Sequence, residues 1–104
     1  MEEIKKIKYY SELYHYYHSL LTDKQRLYFE MYYDKDYSLS EIGDFYSVTR
    51  QAVYDQIRIA LSKLEESEEK MGLLKKSNLR KEYIKNMLET KDEIWLKKLM
   101  EMEE

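Results

Sequence analysis

Thr49, Arg50, Gln51, Tyr54 and Arg58 crowd one short stretch, VTRQAVYDQIR. Arginine and glutamine are the side chains best suited to paired hydrogen bonds with base edges in a major groove, and arginine also grips phosphate. At helical spacing Arg50, Gln51, Tyr54, Asp55 and Arg58 share the face that Val53 and Ile57 leave outward. Arg58 lies two turns beyond Arg50, where phosphate is the expected contact. Two of the chain's four arginines fall here, although lysine far outnumbers arginine overall.

A second constellation is cationic. Lys75, Lys76, Arg80, Lys81 and Lys85 fall within eleven residues, opposed only by Glu82. Such a cluster suits nucleic-acid phosphates; its plainer reading is a solvated lysine-rich face. Glu12, His15 and His18 recur three apart, but steps of three rotate slowly around a helix and no fourth ligand suggests itself, so no metal is expected. The two histidines have no convincing nucleophile to activate, there is no cysteine, and no glycine loop could cradle a phosphate. The chain reads as non-enzymatic and free of cofactors. The tyrosines of the first half could stack bases, but a stripe with buried rings and wet hydroxyls explains them more simply. The abundance of tyrosine and lysine also follows from AT-rich coding.

For the Thr49 stretch to read a groove, a first helix, a tight turn and a second helix must be held at a steep angle. The required residues are present. Ser38-Leu39-Ser40-Glu41 has the form of a capping box and opens a short helix to Tyr46. Gly43 supplies the small residue where the helices meet, Ser47-Val48 the turn and its apolar plug, and Thr49 the N-cap of the second helix. Ser47 stands where such motifs favour glycine, at a cost of about 1 kcal/mol if its φ is positive.

The remaining elements are helical as well. Ile4, Ile7, Tyr10, Leu13, Tyr14, Tyr17 and Leu21 describe an amphipathic first helix. Thr22-Asp23-Lys24-Gln25 is another capping box, opening a helix that carries Leu27, Tyr28, Met31 and Tyr32 inward and ends at Asp34-Lys35-Asp36. Beyond Arg50, the series Val53, Ile57, Ala60, Leu64, Ser67, Met71, Leu74, Asn78 alternates four and three, predicting one unbroken helix into the mid-70s through Gly72. A further stretch carries Leu79, Tyr83, Met87 and Leu88. Thr90-Lys91-Asp92-Glu93 predicts a third capping box before a last helix with Trp95, Leu99 and Met102 on one stripe, and Leu96 and Met100 beside it. The fold class is all-α, with a helix-turn-helix domain over 1–66 and a C-terminal helical extension over 67–104 that packs or dimerises.

With 104 residues, no proline and two glycines, the chain suits one modest helical core. No apolar run reaches the length of a membrane span, and the lack of cysteine suits a reducing cytosol, so a cytoplasmic protein with no membrane partner is expected. The formal net charge is −3, and all of it falls within residues 22–66, around the helix-turn-helix itself. A dedicated duplex binder is usually basic. A nucleic-acid target and a protein-docking role therefore both stay open. The apolar side chains near the end favour a homodimer through the C-terminal part.

The segment LLTDKQRLYFEMYYDKDYSLSEIGDFYSVTRQAVYDQI resembles the YlxM family of small bacterial proteins, itself similar to the fourth region of sigma-70-type factors. The resemblance is strong from about Leu20 to Leu64; the C-terminal part fits in length and character. It implies a sigma region 4-like three-helix core without a wing, followed by long C-terminal helices. Members are typically encoded beside the signal recognition particle protein and its receptor, which implies an accessory or regulatory role in that pathway. Its partners would be nucleic acid (DNA or the particle's RNA) or the particle protein. Carried over position by position, the nucleic-acid residues are Thr49, Arg50, Gln51, Tyr54 and Arg58. The alternatives are a transcriptional regulator reading DNA with the same helix, and a docking or dimerisation module that binds no nucleic acid.

Overall fold

Every regular element among the described residues is a helix; the computed structural model describes residues 2–103. The chain divides into two compact units, 1–70 and 71–104, which are described in turn.

In the first unit, α1 spans Glu2–Tyr17 and tightens into a 3₁₀ turn over His18–Leu20. Leu13, Tyr17 and Leu21 of its stripe are buried, whereas Ile4 and Ile7 stay exposed. α2 spans Asp23–Phe29 and begins at the expected capping box: the Thr22 hydroxyl accepts from Gln25 N, and Gln25 Oε1 accepts from Thr22 N. It runs straight into a π turn, Glu30–Asp34, closed by the Lys35 N–H on the Glu30 carbonyl.

That turn corrects the inward face assigned to α2. Tyr28 and Met31 are buried, but Leu27 and Tyr32 are exposed, and Gln25 and Phe29 take the interior places. A π turn holds one residue more than an α turn, so the interior position after Tyr28 moves from Tyr32 to Tyr33. Tyr33 accordingly packs on the core formed by Tyr28, Met31, Ile42, Val53 and Ile57. Each such side chain, once buried, contributes about 1.5–3 kcal/mol.

α3 covers Leu39–Tyr46 and α4 covers Arg50–Met71. Val53, Ile57, Ala60 and Leu64 are buried along α4, the first half of the seam expected there. The unbroken helix through Gly72 is not what forms. Gly72 adopts φ 62° and α4 stops at Met71, which is 42% exposed. Glycine enters the left-handed region without the Cβ clash that holds other residues out, so the helix ends where that freedom is available.

In the second unit, α5 (Leu73–Thr90) and α6 (Ile94–Met102) pack on each other. Leu74 and Ser77 are buried, and the rings of Tyr83 and Trp95 stack with centroids 6.0 Å apart. Trp95, Leu99 and Met102 are half-buried while Leu96 and Met100 are exposed, the division expected from their stripes. The third capping box does not form. Thr90 closes α5 instead, its hydroxyl donating to the Asn86 carbonyl (2.8 Å) and accepting from the Trp95 indole N–H (3.1 Å). Lys91 takes φ 60°, and Asp92 rather than Thr90 accepts from the first free N–H of α6, that of Ile94 (3.1 Å).

Candidate nucleic-acid interface

The turn between α3 and α4 is made by backbone hydrogen bonds. Ser47 adopts φ 57°, ψ 43°; its N–H donates to the Asp44 carbonyl at 3.4 Å, and Val48 N–H donates to the Gly43 carbonyl at 2.9 Å. This is the Schellman arrangement, with Val48 packed against the same core as Ile42, one turn back. The strain foreseen at Ser47 is therefore present. Gly43 is buried, and a Cβ added to it would lie 2.7 Å from the Val48 carbonyl oxygen. The glycine makes room for the backbone of the turn rather than for a side chain of the second helix.

Past the turn, the Thr49 hydroxyl accepts from Ala52 N at 3.0 Å and its carbonyl accepts from Val53 N. Thr49 thus starts α4, and its oxygen is occupied by that cap. Val53 and Ile57 hold the helix to the core, leaving Arg50, Gln51, Tyr54, Asp55 and Arg58 exposed on the outer face. Arg50, Gln51, Tyr54 and Arg58 line one wall of a groove of about 420 Å³, whose other side includes Tyr32, Tyr33 and Leu39. Gln51 Nε2 donates to Asp55 Oδ1 at 2.9 Å, which restrains the amide on the helix surface. Two guanidinium groups face one carboxylate across these residues. The positive end of a 22-residue helix dipole adds to the attraction for anions near Arg50.

The acidity of residues 22–66 looks different once its carboxylates are located. Glu41 accepts from Ser38 N in the second capping box, and these hydrogen bonds with Ser38 hold its carboxyl below the usual range. Asp23 pairs with Arg26 one turn away, and Asp55 holds Gln51. Glu65 accepts from Tyr10 Oη of α1 at 2.5 Å; one turn further and outside that segment, Glu68 accepts from Tyr17 Oη at 2.7 Å. The Glu65 hydrogen bond, then burial, pushes the Tyr10 hydroxyl up to about 12. Asp23, Glu41, Asp55 and Glu65 of this segment thus have partners within the fold, while its formal net charge stays −3.

Several residues that shape this site escape sequence reasoning. Tyr32 stands in the groove because of the π turn, which no spacing rule announces. Gln25 is buried and links α2 to α4: Nε2 donates to Gln56 Oε1 at 3.4 Å, and Oε1 accepts from Lys63 Nζ at 3.3 Å. Its place in a capping box was the available signal, and that signal says nothing of a partner on another helix. A stacked pair, Tyr14 on Phe29 with centroids 4.3 Å apart, holds α1 to α2.

In the second unit, Lys75, Lys76, Lys81 and Lys85 are exposed on α5 and Arg80 is half-buried. Because α5 is continuous through them, Lys76–Arg80 and Lys81–Lys85 form two one-turn pairs about 140° apart around its axis. Glu12, His15 and His18 are not gathered: His18 has left α1 for the 3₁₀ turn and rests its ring against Tyr14. No group of three His, Cys, Asp or Glu side chains among the described residues could hold a metal ion.

A family model described as "Putative helix-turn-helix protein, YlxM / p13 like" matches residues 4–102. Over 75 residues the chain is 52% identical to the UPF0122 protein GK1195 of Geobacillus kaustophilus, covering 72% of this chain and 68% of that protein. It is 52% identical over 77 residues to a UPF0122 protein of Bacillus pumilus, covering 74% and 70%. The UPF0122 protein YlxM of Bacillus subtilis is 49% identical over 77 residues, again with 74% and 70% covered.

Proposed function

The chain belongs to the YlxM/p13-like helix-turn-helix family, and from that premise we propose that it binds nucleic acid through the outer face of α4, as a regulatory or accessory protein. One observation carries this reading. A rigid turn, built on Gly43 and the Ser47–Val48 hydrogen bonds, presents Arg50, Gln51, Tyr54 and Arg58 to solvent along one groove. Arg50 and Gln51 stand at the start of the helix, where base edges are reached, and Arg58 suits a phosphate. Arg50→Ala or Gln51→Ala should each cost about 1–3 kcal/mol of discrimination between target and scrambled sequences. Gel-shift titrations with both variants test this; discrimination equal to that of the wild type would remove α4 as the reading element.

The signal recognition particle pathway is the setting we assign, on the strength of the resemblance and the gene neighbourhood that goes with it. Its RNA or its protein component would be the partner, and the cytoplasm the compartment. No helix among the described residues is long and apolar enough to cross a membrane. A pull-down from nuclease-treated and untreated lysates separates the cases: recovery of the particle's components supports the assignment, and their absence from both removes it. A transcriptional regulator using the same α4 residues is the alternative, supported by the same exposed Arg50 and Gln51. We assign no catalytic role and no cofactor.

A second copy of the chain is the partner we assign to the C-terminal unit. Ile84, Leu88, Leu96 and Met100 are exposed there, and its eight basic and seven acidic groups over 71–104 leave little net charge to oppose self-association. Sedimentation equilibrium should show a dimer; monomer alone at micromolar concentration would remove this assignment.

A further inference from the structure

A second groove, of about 550 Å³, shares Tyr32 and Tyr33 with the groove beside α4. The exposed rings along this course are Tyr54 (43%) in the first groove, Tyr32 (37%) where the two meet and Tyr37 (42%) in the second. Arg50 and Arg58 supply positive charge in the first groove; in the second, Lys6 stands with the carboxylates of Asp36 and Glu41.

A row of exposed aromatic rings between cations is the chemistry of an unpaired strand. Bases stack on aromatic faces whatever their sequence, while the backbone phosphates meet arginine and lysine. A duplex cannot use the rings, because its bases already stack on one another. We propose that the joined grooves hold a single-stranded RNA segment, with its bases on Tyr54, Tyr32 and Tyr37 and its phosphates at Arg50, Arg58 and Lys6. Ribose is favoured over deoxyribose by Asp36, which lines the second groove. A carboxylate there repels phosphate but accepts a hydrogen bond from a 2′-hydroxyl, the group that distinguishes the two backbones. The neighbouring Glu41, which accepts from Ser38 N, adds a second carboxylate to this groove.

This inference rests on the nucleic-acid reading of α4 and deepens it by naming the form of the ligand. The experiment is a fluorescence anisotropy titration of the chain with a short labelled single-stranded RNA, the same sequence as DNA, and the RNA duplex. Single-stranded RNA should bind tightest. Tyr32→Ala and Tyr37→Ala should each weaken it about tenfold and leave duplex binding unchanged, in line with the usual loss per stacked base. Tyr37→Phe, which keeps the ring, should bind like the wild type. Circular dichroism confirms that the variants fold. A single DNA strand bound as tightly as RNA would overturn the ribose preference. Tyrosine variants that bind single strands normally would overturn the groove, and if Arg50→Ala still lowers duplex affinity, the reading of α4 survives that failure. Capture of a protein partner with no nucleic acid bound in any form would overturn both.

Discussion

A methyl group on Gly43 would have nowhere to go. The atom it meets, at 2.7 Å, is the carbonyl oxygen of Val48, which is backbone and part of the turn rather than a flexible side-chain tip. Gly43→Ala should therefore force the turn outward and destabilise the fold by about 1–3 kcal/mol, the usual range for overpacking. Urea unfolding monitored by circular dichroism checks this, and a midpoint unchanged from the wild type would show that the turn yields without cost. Ser47 bears the complementary strain. Its left-handed φ of 57° is held by the two backbone bonds of the Schellman turn, so a residue with no special freedom keeps a conformation that glycine would adopt more cheaply. Gln51 is a third case at this scale. The hydrogen bond to Asp55 narrows the orientations its amide can present.

α1 is held on the first unit by a polar edge as well as by aromatic packing. Tyr10 and Tyr17, two turns apart, donate to Glu65 and Glu68 of α4, while Leu13 and Tyr17 are buried. The Tyr10 hydroxyl is raised from 10.0 to about 12 by the Glu65 hydrogen bond first, and the Tyr14 hydroxyl likewise to about 12, by burial first and then Glu30. A folded-state pKa above the unfolded one means that the fold favours the protonated phenol. This contribution to stability is complete below pH 10 and is lost as pH rises toward about 12. The urea midpoint should fall across that window. Tyr10→Phe should make the fall shallower and cost about 1 kcal/mol at neutral pH for the lost hydrogen bond. An equally steep fall in the variant would show that Glu65 does not hold this proton. The π turn after α2 works at the same scale. By adding one residue to a turn it packs Tyr33 against the core and leaves Tyr32 exposed in the groove.

For the molecule as a whole, charge is divided by region. The C-terminal part balances nine basic against nine acidic groups over 67–104, yet it carries the densest run of cations, Lys75 to Lys85. We propose that the positive pairs Lys76–Arg80 and Lys81–Lys85, on different faces of α5, meet phosphate. Replacing Lys76, Arg80 and Lys81 together by Glu should weaken nucleic-acid binding and flatten its dependence on salt, because fewer counterions are released when phosphates are met. Titrations at several salt concentrations read the slope directly. An unchanged slope and affinity would leave the cluster as a solvated face.

The all-helical class, the helix-turn-helix and most element starts were legible in the residues, because they depend on local chemistry. The Thr22 and Ser38 boxes and the Thr49 cap need only a hydroxyl and its neighbours within one turn, and the structure forms all three. The exposure of Arg50, Gln51, Tyr54 and Arg58 follows from a helical period with Val53 and Ile57 inward, which is equally local. Tertiary context decided the rest. At Thr90 a box that is good by pattern does not form, because Lys91 turns left-handed and the hydroxyl accepts from Asp92 N and the Trp95 indole instead of from Glu93 N. At Gly72 a seam that continues in the sequence is cut by one left-handed residue. The meeting of two grooves at Tyr32 and the Tyr–Glu links from α1 to α4 join residues far apart in the chain, and no periodic pattern encodes such distances.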